Sequence, residues 1–241
     1  MSNLTGGTQA FALQTLNSSS DQKHALGARG YTSDGRRFRY VQAGAADLVA
    51  GNVIQAAAQI TAHQDMTPSA AAIGATSISV TPGATAGAAN LYAGGLAIIS
   101  TTPGLGQTAL ISGHAAISAS TAFSFTLDAA DALNVALTTS SRVDLQINPY
   151  KNVIQAPVTT LTGAVVGVAT YAIPATYYGW IQTWGPAGVL IAGTPAVGQS
   201  VSSPSTAAGA AAINSGTLEI VGTMLATGVD GKVKAVFLTI D

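Results

Sequence analysis

The chain reads as mainly β: an antiparallel sandwich or barrel body with an inserted β-rich segment and a flexible N-terminal arm. Two observations predict this. Short apolar–polar alternating runs recur along the 241 residues, separated by Gly, Pro, Ser and Asn, rather than by the long helical periods of βαβ units. Asp34-Gly35 and Asp230-Gly231 each precede such a run, and Asp-Gly readily takes the positive φ angles of a tight hairpin.

The first twenty residues are polar and turn-prone, with apolar points at Leu4, Phe11, Leu13 and Leu16. We read residues 1–25 as an arm that orders when Phe11 and Leu13 dock on a neighbour. The run Arg36 to Val41 then sets Phe38, Tyr40 and Gln42 on one face of a strand and Arg37, Arg39 and Val41 on the other. Asn52 to Ile60 reads as a strand or short helix. Thr76–Val80, Ala122–Leu127 and Arg142–Asn148 alternate as strands, the last with Val143, Leu145 and Ile147 on one face. Asp128 to Leu137 is rich in Ala and is open to a helical reading. Further strands are expected at 165–173, 178–184, 189–192, 217–225 and 232–240, with Asp230-Gly231 joining the last two. Trp180 and Trp184 lie four apart, so an uninterrupted strand places both on one face.

Asn-Val-Ile-Gln-Ala occurs at 52–56 and again at 152–156. The simplest meaning is that the two copies lead into and out of one domain. The expected organisation is therefore an arm at 1–25, a body at 26–66 and 151–241, and an inserted β-rich domain at 67–150.

Composition restricts function. Only 8% of residues are charged, where about a quarter is usual, while 48% are hydrophobic, so the chain packs a core with few ionic groups. A net charge of −1 argues against general binding to nucleic acid or anionic membranes, and it gives weak protection against self-association. There is no cysteine, which excludes disulfides, thiolate catalysis and thiolate zinc sites and fits a reducing cytosol. The N-terminus has no basic segment leading into an apolar run of the secretory kind. The most apolar stretch, residues 163–175, is too short to span a bilayer.

Motifs for chemistry are absent. No Gly-x-Ser-x-Gly elbow or Gly-Lys-Ser/Thr phosphate loop occurs, and Gly104-Leu-Gly106 is only half a dinucleotide fingerprint. Ser112-Gly-His114 has the composition of a turn, and His63-Gln-Asp65 reads as surface, with His24 and His114 far away in sequence. Nine Asp and one Glu offer no selected pair for glycoside cleavage. We therefore expect no enzyme activity, no cofactor and no metal. The one charged cluster is Lys23, Arg29, Arg36, Arg37 and Arg39, interleaved with Tyr31, Phe38 and Tyr40. That pattern superficially fits stacking on nucleic acid, but on a near-neutral chain Arg and Tyr fit a protein-contact face better.

Four stretches carry a resemblance to a known family. They are Leu26 to Gly44, Leu91 to Ile99, Tyr177 to Leu190 with Pro195 to Gln199, and Val221 to Gly231. Together they resemble the capsid decoration (cement, or head-stabilising) proteins of tailed bacteriophages. The resemblance implies a structural virion protein on the capsid exterior, made in the bacterial cytoplasm. Its partner is the major capsid protein, and it forms a homo-oligomer, with a trimer favoured. The contact candidates are then Phe11, Leu13, Arg29, Tyr31, Arg36, Arg37, Arg39, Trp180 and Trp184. The alternatives are a phage tail subunit and a host-surface glycan-binding module.

Overall fold

The computed structural model describes residues 17–158, 160–204, 206–216 and 218–241. The expected arm contacts at Phe11 and Leu13 lie outside the described residues. Sixteen strands, with two 3-10 turns and no α-helix among the described residues, form two antiparallel sheets. The chain divides into two compact units: Met1–Ala58 with Pro149–Asp241, and Gln59–Asn148. The first is called the body below and the second the inserted unit.

The body strands are β1 (Arg29–Tyr31), β2 (Arg37–Gln42), β3 (Val53–Gln55), β10 (Ile154–Gln155), β11 (Val165–Ala169), β12 (Tyr178–Ile191), β13 (Ser200–Ser202), β14 (Ala212–Ile213), β15 (Ile220–Met224) and β16 (Lys232–Thr239). They run in the order β10-β3-β11-β12-β16-β15-β13-β14, with the β1–β2 hairpin joined to β12. The sheet curls back on itself where Ala211 bridges Ile191. There the Ala192 amide donates to the Ala211 carbonyl at 2.9 Å, and the Ala211 amide donates to the Leu190 carbonyl at 2.8 Å.

Curling gives the sheet cores on both faces. Val168, Val189, Ile191, Val201, Val221, Val236 and Leu238 fill one side; Val41, Leu48, Ile54, Ala169, Ile173 and Ile181 pack on the other. Strand β11, Val-Val-Gly-Val-Ala, is buried along both faces, which explains its unbroken apolar sequence. The Asp34-Gly35 hairpin forms as expected, with Gly35 at φ +84 and its amide donating to Thr32. Asp230-Gly231, with Gly231 at φ +68, forms a turn in the connection from β15 to β16, but not a tight hairpin: the pair nearest the connection is Met224 with Val236, and Lys232 pairs with Ile191 of β12.

The repeated pentapeptides pair with each other. In β3 and β10, Ile54 faces Gln155 and Gln55 faces Ile154, so the two copies are related by a local two-fold. The chain leaves the body just after one copy and returns just before the other.

The inserted unit comprises β4 (Thr67–Pro68), β5 (Ser77–Thr81), β6 (Leu96–Ile99), β7 (Thr108–His114), β8 (Phe123–Leu127) and β9 (Val143–Gln146), in the order β4-β5-β8-β7-β6-β9. Its ends meet through Met66 and Val143, which exchange backbone hydrogen bonds of 3.0 and 2.9 Å. The sheet is thus a nearly closed barrel, which leaves little free edge. Alternation is regular: Ile78 and Val80, Phe123, Phe125 and Leu127, and Val143 and Leu145 are buried while their neighbours face outward. At roughly 1.5–3 kcal/mol for each large apolar side chain fully buried, these residues are what holds the unit together.

Two expectations are corrected. Asp128 to Leu137 is not a helix: the Asp128 carboxylate accepts the Ala130 amide and caps a 3-10 turn at Ala129–Asp131, after which the chain is irregular, with a bend at Asn134 and Val135. The segments expected at 178–184 and 189–192 are one fourteen-residue strand, which Gly185 at φ +87 lets bend without breaking.

Candidate functional site

Pairing of β1 with β2 sorts the charged cluster by face. Arg29 lies opposite Arg39 and Tyr31 opposite Arg37, so these four share one side. Phe38 and Tyr40 point to the other side and are buried, at 1% and 3% exposure, which removes their rings from any stacking role at the surface. Two arginines directly opposed repel each other. Asp241 resolves this by taking two hydrogen bonds from Arg39, Nε to Oδ2 at 2.6 Å and Nη2 to Oδ1 at 2.8 Å, with Arg29 at 3.9 Å. Arg39 also donates to the Gly27 carbonyl at 3.0 Å and lies over the Tyr150 ring. The hydrogen bonds from Arg39 hold the Asp241 carboxyl below its ordinary pKa, and the carboxylate in turn raises that of Arg39. Arg39 is thus committed within the chain.

Trp180 is also internal. It is 2% exposed and packs edge-on against Tyr40, whose ring stacks on Tyr178. His24 closes over this group, 5.1 Å from Tyr40 and 5.2 Å from Trp180. Together with Asn17, Ser18, Ser19 and Lys23 these side chains line a surface pocket of about 280 Å³.

Trp184 does not share the face of Trp180, contrary to the four-residue spacing. Gln182 pairs with Phe38, but Trp184 pairs with the next residue back, Arg37, so one extra residue of β12 sits in a β-bulge at Thr183. A bulge reverses the alternation beyond it. Gln182 fixes the bulge: its Nε2 donates to the carbonyls of Trp184 at 3.0 Å and Pro186 at 2.9 Å, with Gly185 at 3.3 Å. Trp184 consequently emerges beside the arginines, with the Arg37 guanidinium 5.0 Å from its ring centroid and Phe237 edge-on at 5.5 Å.

The face continues along β12 and β16. Trp184 lies opposite Thr239, Pro186 opposite Phe237, Gly188 opposite Ala235 and Leu190 opposite Val233. Pro186, Gly188, Val233 and Ala235 are exposed. Of the sequence candidates, Arg37 and Trp184 are therefore joined in one surface, Arg29 and Tyr31 flank it on β1, and Arg36 pairs with Asp34 at 2.8 Å beside it.

A second group was not legible in the sequence. His63, Tyr92 and His114 are buried together in the inserted unit, although the sequence reading put His63 at the surface and His114 far from it. His63 Nε2 donates to the Thr85 carbonyl at 2.9 Å, which leaves Nδ1 to accept the Tyr92 hydroxyl at 2.6 Å. His114 Nδ1 donates to the Ala115 carbonyl at 2.6 Å and Nε2 accepts the Tyr92 amide at 3.0 Å. Every ring nitrogen has a defined partner, and burial raises the Tyr92 pKa far beyond its ordinary value. This is a satisfied polar core. The Ser112 hydroxyl donates to the carbonyls of Thr126 and Leu127, not to His114. Among the described residues no group of three or more His, Asp or Glu side chains is placed to hold a metal.

No family model, curated protein or solved structure matches the chain.

Proposed function

We propose that the chain is a structural virion protein that binds the outer surface of a phage capsid and stabilises contacts between major capsid subunits, acting as a homo-oligomer. The observation that carries this reading is the open sheet face of β12 and β16, where Arg37, Trp184 and Phe237 stack next to exposed Pro186, Gly188, Val233 and Ala235. Trp and Arg are the side chains that concentrate binding energy at protein interfaces, and small apolar neighbours let a partner backbone approach closely. The sequence resemblance to decoration proteins supports the same reading, since two of its stretches, Leu26 to Gly44 and Tyr177 to Leu190, supply Arg37 and Trp184. Several copies of such a face on one oligomer multiply affinity without new contacts.

Co-sedimentation with capsids assembled without the protein tests it. Saturable binding at a fixed ratio, with delayed rupture of the shells on heating, is expected. Absence of binding overturns the reading.

A host-surface glycan module is the second reading, and the pocket beside His24 and Tyr178 favours it, since sugars stack on aromatic rings and these two, unlike Tyr40 and Trp180, are partly exposed. Retention on a glycan array that is lost in Tyr178→Ala would establish it.

A further inference from the structure

Strand β1 branches from the body sheet, joined to β12 only through β2, and its outer edge is open. Gly30 pairs with Phe38, and on either side of that pair the Tyr40 amide donates to the Ala28 carbonyl at 3.0 Å and the Thr32 amide to the Arg36 carbonyl at 3.1 Å. Hydrogen bonding alternates along an antiparallel strand, so the amides and carbonyls of Arg29 and Tyr31 point away from β2. None of them bonds to a described residue. The Arg29 and Tyr31 side chains share one face of the strand, Arg29 exposed and Tyr31 half-buried.

We infer that this edge pairs antiparallel with the same edge of a second copy, about a two-fold axis through Gly30. Arg29 then lies opposite the partner's Tyr31, and Tyr31 opposite the partner's Arg29. Each such pair exchanges two backbone hydrogen bonds. Directly opposed side chains touch, which lays each guanidinium on a tyrosine ring. Gly30 meets its own counterpart at the closely spaced position between them, and brings no side chain to obstruct it.

Arg-Gly-Tyr is thus complementary to itself when reversed, which commits the edge to a second copy and fixes the register. Centring the axis on Arg29 instead would set two arginines against each other. The contact consumes both edges and closes as a dimer, so it does not propagate into a fibre. A net charge of −1 gives the copies little mutual repulsion. The axis runs perpendicular to the sheet, so Arg37 and Trp184 of both copies are presented on the same side. This inference rests on the homo-oligomer of the proposed function and specifies a two-fold pair in place of the trimer that the resemblance implies.

The full chain is followed by sedimentation equilibrium across the micromolar range and by residue-resolved amide exchange. Three variants are compared: Tyr31→Arg opposes the partner's Arg29, Tyr31→Glu offers that arginine a carboxylate, and Tyr31→Pro removes an outward N–H at a position where an edge strand tolerates proline. The wild type is expected to dimerise, with exchange of the Arg29 and Tyr31 amides slowed at least tenfold in the dimer. Dimerisation is expected to weaken at least tenfold in Tyr31→Arg and Tyr31→Pro and to persist in Tyr31→Glu. Equal weakening in Tyr31→Arg and Tyr31→Glu, a wild type that is monomeric or trimeric throughout, or a dimer that leaves both amides unprotected overturns the inference. Binding to capsid shells is read separately. An edge-paired dimer that binds no shells removes the capsid reading and upholds the pairing, whereas shell binding by a monomeric wild type upholds the capsid contact and removes the pairing.

Discussion

Arg39 and Asp241 are 202 positions apart and share two short hydrogen bonds, which tie the second strand of the body to the last residue of the chain. The pair lies partly shielded, with the Arg39 side chain 13% and the Asp241 side chain 25% exposed. Asp241 also separates Arg39 from Arg29 across the hairpin.

Replacing Asp241 with Asn should therefore destabilise the body by about 2 kcal/mol, because charged hydrogen bonds are lost and two opposed arginines remain. The pH dependence has a defined sign. The Asp241 carboxyl titrates below its ordinary value in the folded chain, so its contribution is complete above about pH 4 and disappears as pH falls through the lowered value. Urea unfolding of wild type and Asp241→Asn should differ at pH 7, and the gap should shrink as pH falls below about 4. A gap that widens on acidification would contradict this.

In the inserted unit, Tyr92→Phe leaves His63 Nδ1 without its donor, and His63→Phe leaves both the Tyr92 hydroxyl and the Thr85 carbonyl unpaired. The first should cost about 1–2 kcal/mol and the second more. The double variant should cost less than the sum, since the two residues share one hydrogen bond. Hydrogen exchange should locate the loss in β5 to β9, with body amides unchanged.

Two glycines are fixed by backbone proximity. A Cβ at Gly222 would lie 2.1 Å from the Phe237 carbonyl oxygen, and one at Gly95 would lie 2.1 Å from that of Gln146. Neither neighbour is a side chain that can rotate away. Gly222→Ala should lower the stability of the body, and Gly95→Ala that of the inserted unit, by about 3 kcal/mol or more. Measured losses below about 1 kcal/mol would show that the strands separate easily.

Gln182→Leu preserves volume but removes the donor that holds the bulge carbonyls. The expected result is a destabilisation of about 1–3 kcal/mol. Emission from Trp184 should change as its contact with Arg37 loosens, whereas Trp180, packed against Tyr40, should report little. Unchanged emission and stability would mean that the β2 pairing alone sets the bulge.

Strands were legible where burial is one-sided. Phe123, Phe125 and Leu127 alternate because one face of the inserted unit's sheet is core and the other is solvent, and the hairpin at Asp34-Gly35 shows its turn chemistry directly. The faces of Trp180 and Trp184 were not legible, since an extra residue in a strand leaves no mark on hydrophobic period. The bulge shows only once β12 pairs with β2, where Gln182 faces Phe38 and Trp184 faces Arg37. The His63–Tyr92–His114 group was hidden for a different reason. Its members are 29 and 22 residues apart, brought together by barrel closure rather than by any local pattern. At the candidate site the sequence supplied Arg37 and Trp184 but not Gly188, Val233 or Ala235, which look ordinary until β12 pairs with β16.

The mutual pairing of the two Asn-Val-Ile-Gln-Ala copies makes the body indifferent to what it carries. Because the outgoing and returning strands are hydrogen-bonded neighbours, any segment whose ends meet closely can be spliced between them without shifting a register in the host sheet, and added length costs little entropy. The junction works as a socket: its geometry accommodates a change in the length between the two strands while the sheet that presents Trp184 stays as it is.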